Sequence, residues 1–169
     1  VAAYRLSEAL GLGLVPLTVD RDGPAGQGSV QWFVNAVHQQ HYFTIYENRP
    51  DLHERLLEFA FFDVIANNTD RKSGHVLLEG DDQLWGIDHG VCFHEEFKLR
   101  TVIWEFGGTE LSDRLVALAR TVATQPPADV AELLSAEEVA AMQERALWLA
   151  ENGVLPVDPS GRRYPWPLV

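Results

Sequence analysis

The sequence predicts an α+β fold, mostly helical, in which a β-hairpin carries the chemistry-bearing loops and a smaller helix-plus-hairpin unit comes first. Three observations predict it. Residues 51–68, DLHERLLEFAFFDVIANN, place apolar side chains around most of a helix, as a central core helix requires. Two short β-rich runs, HVLLE (75–79) and LWGID ending at Asp88, flank an acidic turn, and that order reads as a hairpin. Helical periodicity returns over 110–123 and from Ser135 to Asn152, whereas 14–34 reads as two strands around a Gly/Pro-rich loop.

Taken in order, VAAYRLSEAL forms an opening helix stopped by Gly11. It has no cap before Val1, the pattern of a helix inside a longer domain. The stretches 14–21 and 29–34 pair across residues 22–28 as a hairpin. Residues 35–50 show no period and read as a linker. Asp51 with Glu54 three positions on predicts a capping box for the central helix, and Asn67 and Asn68 fit its C-terminal end. Glu79, Asp81 and Asp82 make a solvated hairpin tip. Pro126-Pro127 breaks the helix over 110–123, and a helical turn fits 129–134. Ser135 and Glu138 form a second capping box, and Gly153 stops the last helix. The tail 156–169, rich in proline, reads as an extended strap. The five tryptophans, Trp32, Trp85, Trp104, Trp148 and Trp166, read as core or strap anchors.

The bulk numbers narrow the function classes. A chain of 169 residues, 46% apolar and 22% charged, has the composition of a globular domain. No apolar run is long enough to span a bilayer, so integral membrane association is not expected. The single cysteine, Cys92, fits a reducing, cytoplasmic setting. A formal charge of −12 repels nucleic acid, and the basic clusters Arg71-Lys72, Lys98-Arg100 and Arg162-Arg163 are each too small for a nucleic-acid footprint.

One constellation carries chemistry. Asn67-Asn68-Thr69-Asp70-Arg71 precedes the second hairpin, and Gly86-Ile87-Asp88-His89-Gly90 follows it. Pairing the strands brings both loops to one end, so Asp70 and Asp88 converge there. Convergent carboxylates at a strand end suit a divalent cation, whose shell is completed by water and substrate phosphates. Phosphoryl transfer uses one such aspartate to orient the attacking hydroxyl and another to hold the metal. Read alone, Asp70 also suits a turn or cap, and Arg71 suits an ion pair with a local carboxylate.

The run DVIANNTDRKSGHVLL (63–78), followed by LWGIDHG (84–90), resembles the catalytic and metal-binding loops of phosphatidylinositol 3-/4-kinase-like proteins, above all their actinobacterial-type relatives. The opening AAYRLSEALGLGLVPLTV resembles those relatives too, and the likeness is best over residues 1–100. The resemblance implies a protein-kinase-like C-terminal lobe over 35–169, preceded by a remnant of the N-terminal lobe over 1–34. It implies Asp70 as catalytic base with Arg71 beside it, Asp88 as the metal-binding aspartate, and Gln31, Trp32, Phe33 and Val34 as the adenine-side hinge. ATP and Mg²⁺, with Mn²⁺ as the variant, are the implied cofactors, and a hydroxyl-bearing acceptor the partner.

Two departures go with it. At the position of the family's second metal-binding asparagine stands His75: either it takes that ligand's place, for Mn²⁺ or through a water-mediated contact, or the second metal site is lost, since Mg²⁺ favours oxygen. The glycine-rich loop and the ATP-anchoring lysine are absent, since Lys72 and Lys98 are the only lysines, and this fits a fragment of a longer protein. The expected function is an ATP- and Mg²⁺-dependent phosphotransferase. The alternative is a pseudokinase-like nucleotide-binding or interaction domain, and a metal-dependent hydrolase using Asp70, Asp88 and His75 is the third reading. His38 and His41 read as solvated loop residues, and Cys92, in an apolar run between His89 and His94, as a structural thiol.

Overall fold

A computed structural model describes residues 1–37 and 39–169; the expectation for His38 lies outside the described residues. The fold is α+β, with six α-helices and two separate two-stranded antiparallel sheets among the described residues. Helix α1 (Ala2–Ala9) ends before Gly11, which takes φ 60°. Strands β1 (Thr18–Gly23) and β2 (Gly26–Gln31) form the first hairpin, with Thr18 opposite Gln31. The pairing is as expected but its bounds shift. Residues 22–28, expected as a loop, are mostly strand around a turn at Pro24-Ala25, and 32–34 leave the sheet.

The expected linker 35–50 contains helix α2 (Tyr42–Asn48). Only Tyr42 and Ile45 of that helix are buried, so its apolar stripe is a single i, i+3 pair, too short to show as a period. The His41 N–H bonds the Thr44 hydroxyl at 3.0 Å. The central helix α3 (His53–Ala66) appears where expected and is buried from Glu58 to Ala66. Its predicted Asp51/Glu54 capping box does not form. Pro50 starts a 3₁₀ turn ahead of the helix, and the Asp51 carboxylate pairs with the Arg49 guanidinium at 2.6 Å. Asn67 closes α3 in the left-handed conformation, at φ 50°.

Strands β3 (Val76–Glu79) and β4 (Gln83–Gly86) form the second hairpin, with Val76 opposite Gly86. β4 ends before Ile87, so Asp88 stands beyond the strand rather than in it. The C-terminal part packs α4 (Asp113–Thr124) against α6 (Ala136–Asn152), with short α5 (Ala128–Ala131) between them. The capping box of Ser135 and Glu138 forms, and Gly153 ends α6 at φ 65°. Ser112, not foreseen, caps α4.

A single buried cluster runs from Leu6 and Leu14 through Phe59, Phe62 and Ile65 to Met142 and Leu149. The residues following α6 lie over the molecule by backbone bonds: Thr101 N–H donates to Arg163 O at 3.2 Å, and Ser73 N–H to Leu168 O at 2.8 Å. Trp32 and Trp166, expected as anchors, are 68% and 87% exposed. No helix among the described residues is long and apolar enough to cross a membrane.

Candidate functional site

The site is built around Arg71. Helix α3 ends in a left-handed turn that directs Asn67 and Asn68 inward, where both are fully buried. The Asn68 side chain donates to Asp63 at 3.1 Å and accepts the Asp70 N–H at 3.0 Å, which fixes the bend before Asp70. Asn67 donates to the carbonyls of His94 and Glu96 and accepts the Lys98 N–H, tying 94–98 to the end of the helix. These asparagines act as caps and braces, as the sequence suggested.

Arg71 leaves this bend with its guanidinium wholly buried. It forms a two-pronged pair with Asp63 of α3 and donates to the carbonyls of His75 and Ile87 at 3.2 and 3.0 Å. Those carbonyls belong to the two ends of the hairpin, and Ile87 N–H closes the pair by donating to His75 O at 3.0 Å. One guanidinium therefore locks together the loop before β3 and the loop after β4. Burial opposes its charge, but the Asp63 carboxylate outweighs that and holds the guanidinium above its ordinary range. Grouped with Asp70 in the sequence, Arg71 is sealed from solvent here and acts as a positioning residue.

Asp70 and Asp88 stand on these two loops. The Asp70 carboxylate is partly exposed and pairs with Lys72 at 2.9 Å. Asp88 is exposed and takes φ 55°, a left-handed backbone that aspartate tolerates better than most residues. His75 Nε2 lies 3.6 Å from Asp88 Oδ2. Burial and the nearby Arg71 charge push the His75 imidazole below its ordinary pKa, so it is neutral near pH 7. Asp88 and His75 thus offer one carboxylate and one nitrogen at a spacing a single cation can bridge. No group of three His, Cys, Asp or Glu side chains suited to a metal ion occurs among the described residues. A cation held here would draw the rest of its shell from water and substrate phosphates, and the nitrogen donor suits Mn²⁺ better than Mg²⁺.

His89 is the inner wall. Its Nε2 lies 2.7 Å from Arg71 Nη2. A guanidinium only donates, so Nε2 accepts and the proton sits on Nδ1. That Nδ1 is buried with no partner among the described residues. Burial and the Arg71 charge hold His89 well below the usual imidazole range. Gly86 is required beside it: a Cβ there would come within 2.6 Å of Phe59.

A cleft of about 270 Å³ opens on Asp88, His89 and Gly90 from one side and Thr18, Ser29 and Gln31 from the other. Gly86 N–H, bonded to Leu14 O at 2.6 Å, sets the first unit against the hairpin and thereby shapes the cleft. Of the four expected hinge residues, Gln31 lines this cleft and bonds Thr18 Oγ1 at 3.0 Å. Trp32 and Phe33, 68% and 84% exposed, turn outward because β2 has already ended, and Val34 is buried.

Asp63 and Lys72 were not singled out for roles at this site. Asp63 looks like one more position of a buried helix; its carboxylate on an otherwise apolar face was the available signal. Cys92 is mostly buried, and burial pushes its thiol up to about 12, which suits a structural residue.

No protein-family model matches the chain. Among curated proteins it is similar to Protein Rv2133c of Mycobacterium tuberculosis, 35% identical over 203 aligned residues that cover 99% of this chain and 73% of the relative. At that identity and coverage, the chain belongs to the family of Protein Rv2133c.

Proposed function

We propose that this chain carries the phosphoryl-transfer centre of an ATP-dependent, kinase-like phosphotransferase related to the phosphatidylinositol 3-/4-kinases. The observation that carries the proposal is the Arg71 clamp. It holds the Asp70 loop and the Asp88 loop at one end of a hairpin, with Asp88 facing a cleft rimmed by Gln31. In this reading ATP occupies that cleft. The acceptor hydroxyl oxygen attacks the γ-phosphorus, and a new O–P bond forms. The bond to the β,γ-bridging oxygen breaks, its electron pair leaves on ADP, and the hydroxyl proton passes to the Asp70 carboxylate. A divalent cation on Asp88 and His75 would offset charge on the phosphates.

The test is ADP release by the protein with ATP and Mg²⁺ or Mn²⁺, across phosphate- and hydroxyl-bearing acceptors. Loss of the base in Asp70→Asn lowers the rate about 10²–10⁴-fold, and Asp88→Asn removes cation dependence. Turnover indifferent to both changes would sink the reading.

A second reading, nucleotide binding without transfer, is favoured by His75 in place of an oxygen ligand and by the Lys72–Asp70 ion pair. Its signature is thermal stabilisation by ATP with no ADP formed on any acceptor.

A further inference from the structure

Two of the three basic clusters seen along the sequence do not remain separate. Lys98, Arg100, Arg162 and Arg163 line one cavity of about 620 Å³, together with Thr69, the residue before Asp70. Among the described residues its one acidic lining residue is Glu138. Four cations around one cavity are unexpected in a chain with 13 basic and 25 acidic residues. We propose that this cavity is a binding site for a small phosphate-bearing anion, which in the phosphotransferase reading is the acceptor.

Placement and pairing support this. Arg100 lies along the Asp70 loop, donating its N–H to Asn68 O and accepting from Arg71 N–H, each at 3.0 Å. Arg163 is held by its carbonyl, which accepts from Thr101 N–H at 3.2 Å and from Trp104 Nε1 at 2.9 Å. Its guanidinium lies over the Phe97 ring at 5.3 Å. The backbone is thus fixed before a ligand arrives, which lowers the ordering cost of binding. Among the described residues no carboxylate lies within ion-pair distance of Arg100, Arg162 or Arg163. Lys98 is already paired with Glu96 at 2.8 Å and contributes less. Guanidinium groups without a carboxylate partner, on residues lining one concave space, suit the forked recognition of phosphate oxygens. The volume falls within the roughly 300–1,000 Å³ of small-molecule sites. A long polyanion is disfavoured by the −12 charge of the whole chain.

The cavity and the cleft at Asp88 lie on successive stretches of one loop. Asp88, His89 and Gly90 line the cleft, and Val91 and Cys92 line the cavity. Nucleotide and anion would therefore occupy neighbouring spaces, the anion beside Thr69, the residue before Asp70. The role as acceptor site rests on the phosphotransferase reading; the anion site does not.

The test is isothermal titration of the protein with pyrophosphate and with inositol monophosphate. A parallel arm measures co-sedimentation with phosphatidylcholine vesicles with and without phosphatidic acid. The proposal expects binding that weakens tenfold or more in the Arg162→Ala/Arg163→Ala variant, and independently in Arg100→Gln should the double variant fold poorly. Stabilisation by ATP should persist in both. Binding to the soluble probes alone identifies a free phosphate compound, and binding to phosphatidic acid vesicles alone identifies a lipid headgroup. Anion binding without ADP formation on any acceptor leaves the site standing and removes the phosphotransferase reading. Wild-type protein that binds no probe, or binds as the arginine variants do, overturns the proposal.

Discussion

Arg71 donates from Nε to Asp63 Oδ2 and from Nη2 to Asp63 Oδ1, each at 2.9 Å, and neither side chain reaches solvent. Removing one partner of such a pair leaves a buried, uncompensated charge. Asp63→Ala should cost about 3–5 kcal/mol of stability, measured by urea denaturation. The combined Asp63→Leu/Arg71→Met change should cost less than the two single changes added together, since no lone charge remains. Additive costs would mean that the pair is not coupled.

The left-handed backbone of Asp88 separates its conformational role from its chemical one. Asp88→Gly should fold as well as the parent, because glycine takes positive φ without penalty. Asp88→Val should lose about 1–2 kcal/mol, because the β-branch of valine crowds a left-handed backbone that aspartate tolerates. Both should lose cation-dependent ADP release. An Asp88→Gly variant that still turns over would show that the carboxylate is not the ligand.

His75 and His89 make stability depend on pH in a defined direction. Both imidazoles are held below the ordinary value of 6.5 in the folded chain, by burial first and then by the Arg71 charge. Below about pH 6.5 the unfolded chain therefore binds more protons than the folded one. Stability should be full above that value and fall as the pH drops through the folded values. His89→Asn removes one of these groups, so the loss between pH 7.5 and the acid side should be shallower when denaturation is followed at each pH. An unchanged slope would place the acid sensitivity elsewhere.

Gly86 sits where Phe59, His89 and Arg71 crowd the backbone, so Gly86→Ala must push at least one aside. Overpacking of this kind costs about 1–3 kcal/mol. The melting temperature should fall accordingly, and stability equal to the parent would mean that the Phe59 ring moves freely.

What the sequence conveyed was mostly local. Ser135 and Glu138 are adjacent on one helical turn, so their capping box follows from spacing alone. The convergence of the Asp70 and Asp88 loops follows from strand pairing, which a turn of a few residues already dictates. Where a competing local partner intervened, the reading failed: Asp51 pairs with Arg49, and the expected helix cap gives way to a 3₁₀ turn. Helix α2 was missed because it buries one apolar pair. The cavity of Lys98, Arg100, Arg162 and Arg163 could not be foreseen from their spacing. Arg163 reaches it through backbone bonds between distant segments, which leave no periodic trace in the chain.

Those distant bonds also predict an order of events in time. The Asp63, Arg71 and Ile87 contacts close short loops and can form early, at low cost in chain entropy. The bond from Ser73 N–H to Leu168 O joins segments far apart in the chain and so closes a long loop. Segments tied down so late are the first to open in native-state fluctuations. The Ser73 amide should therefore exchange with solvent deuterium well before the Arg71 amide, although only one residue separates them. The rim beside the Asp70 loop would then breathe while its floor stays shut.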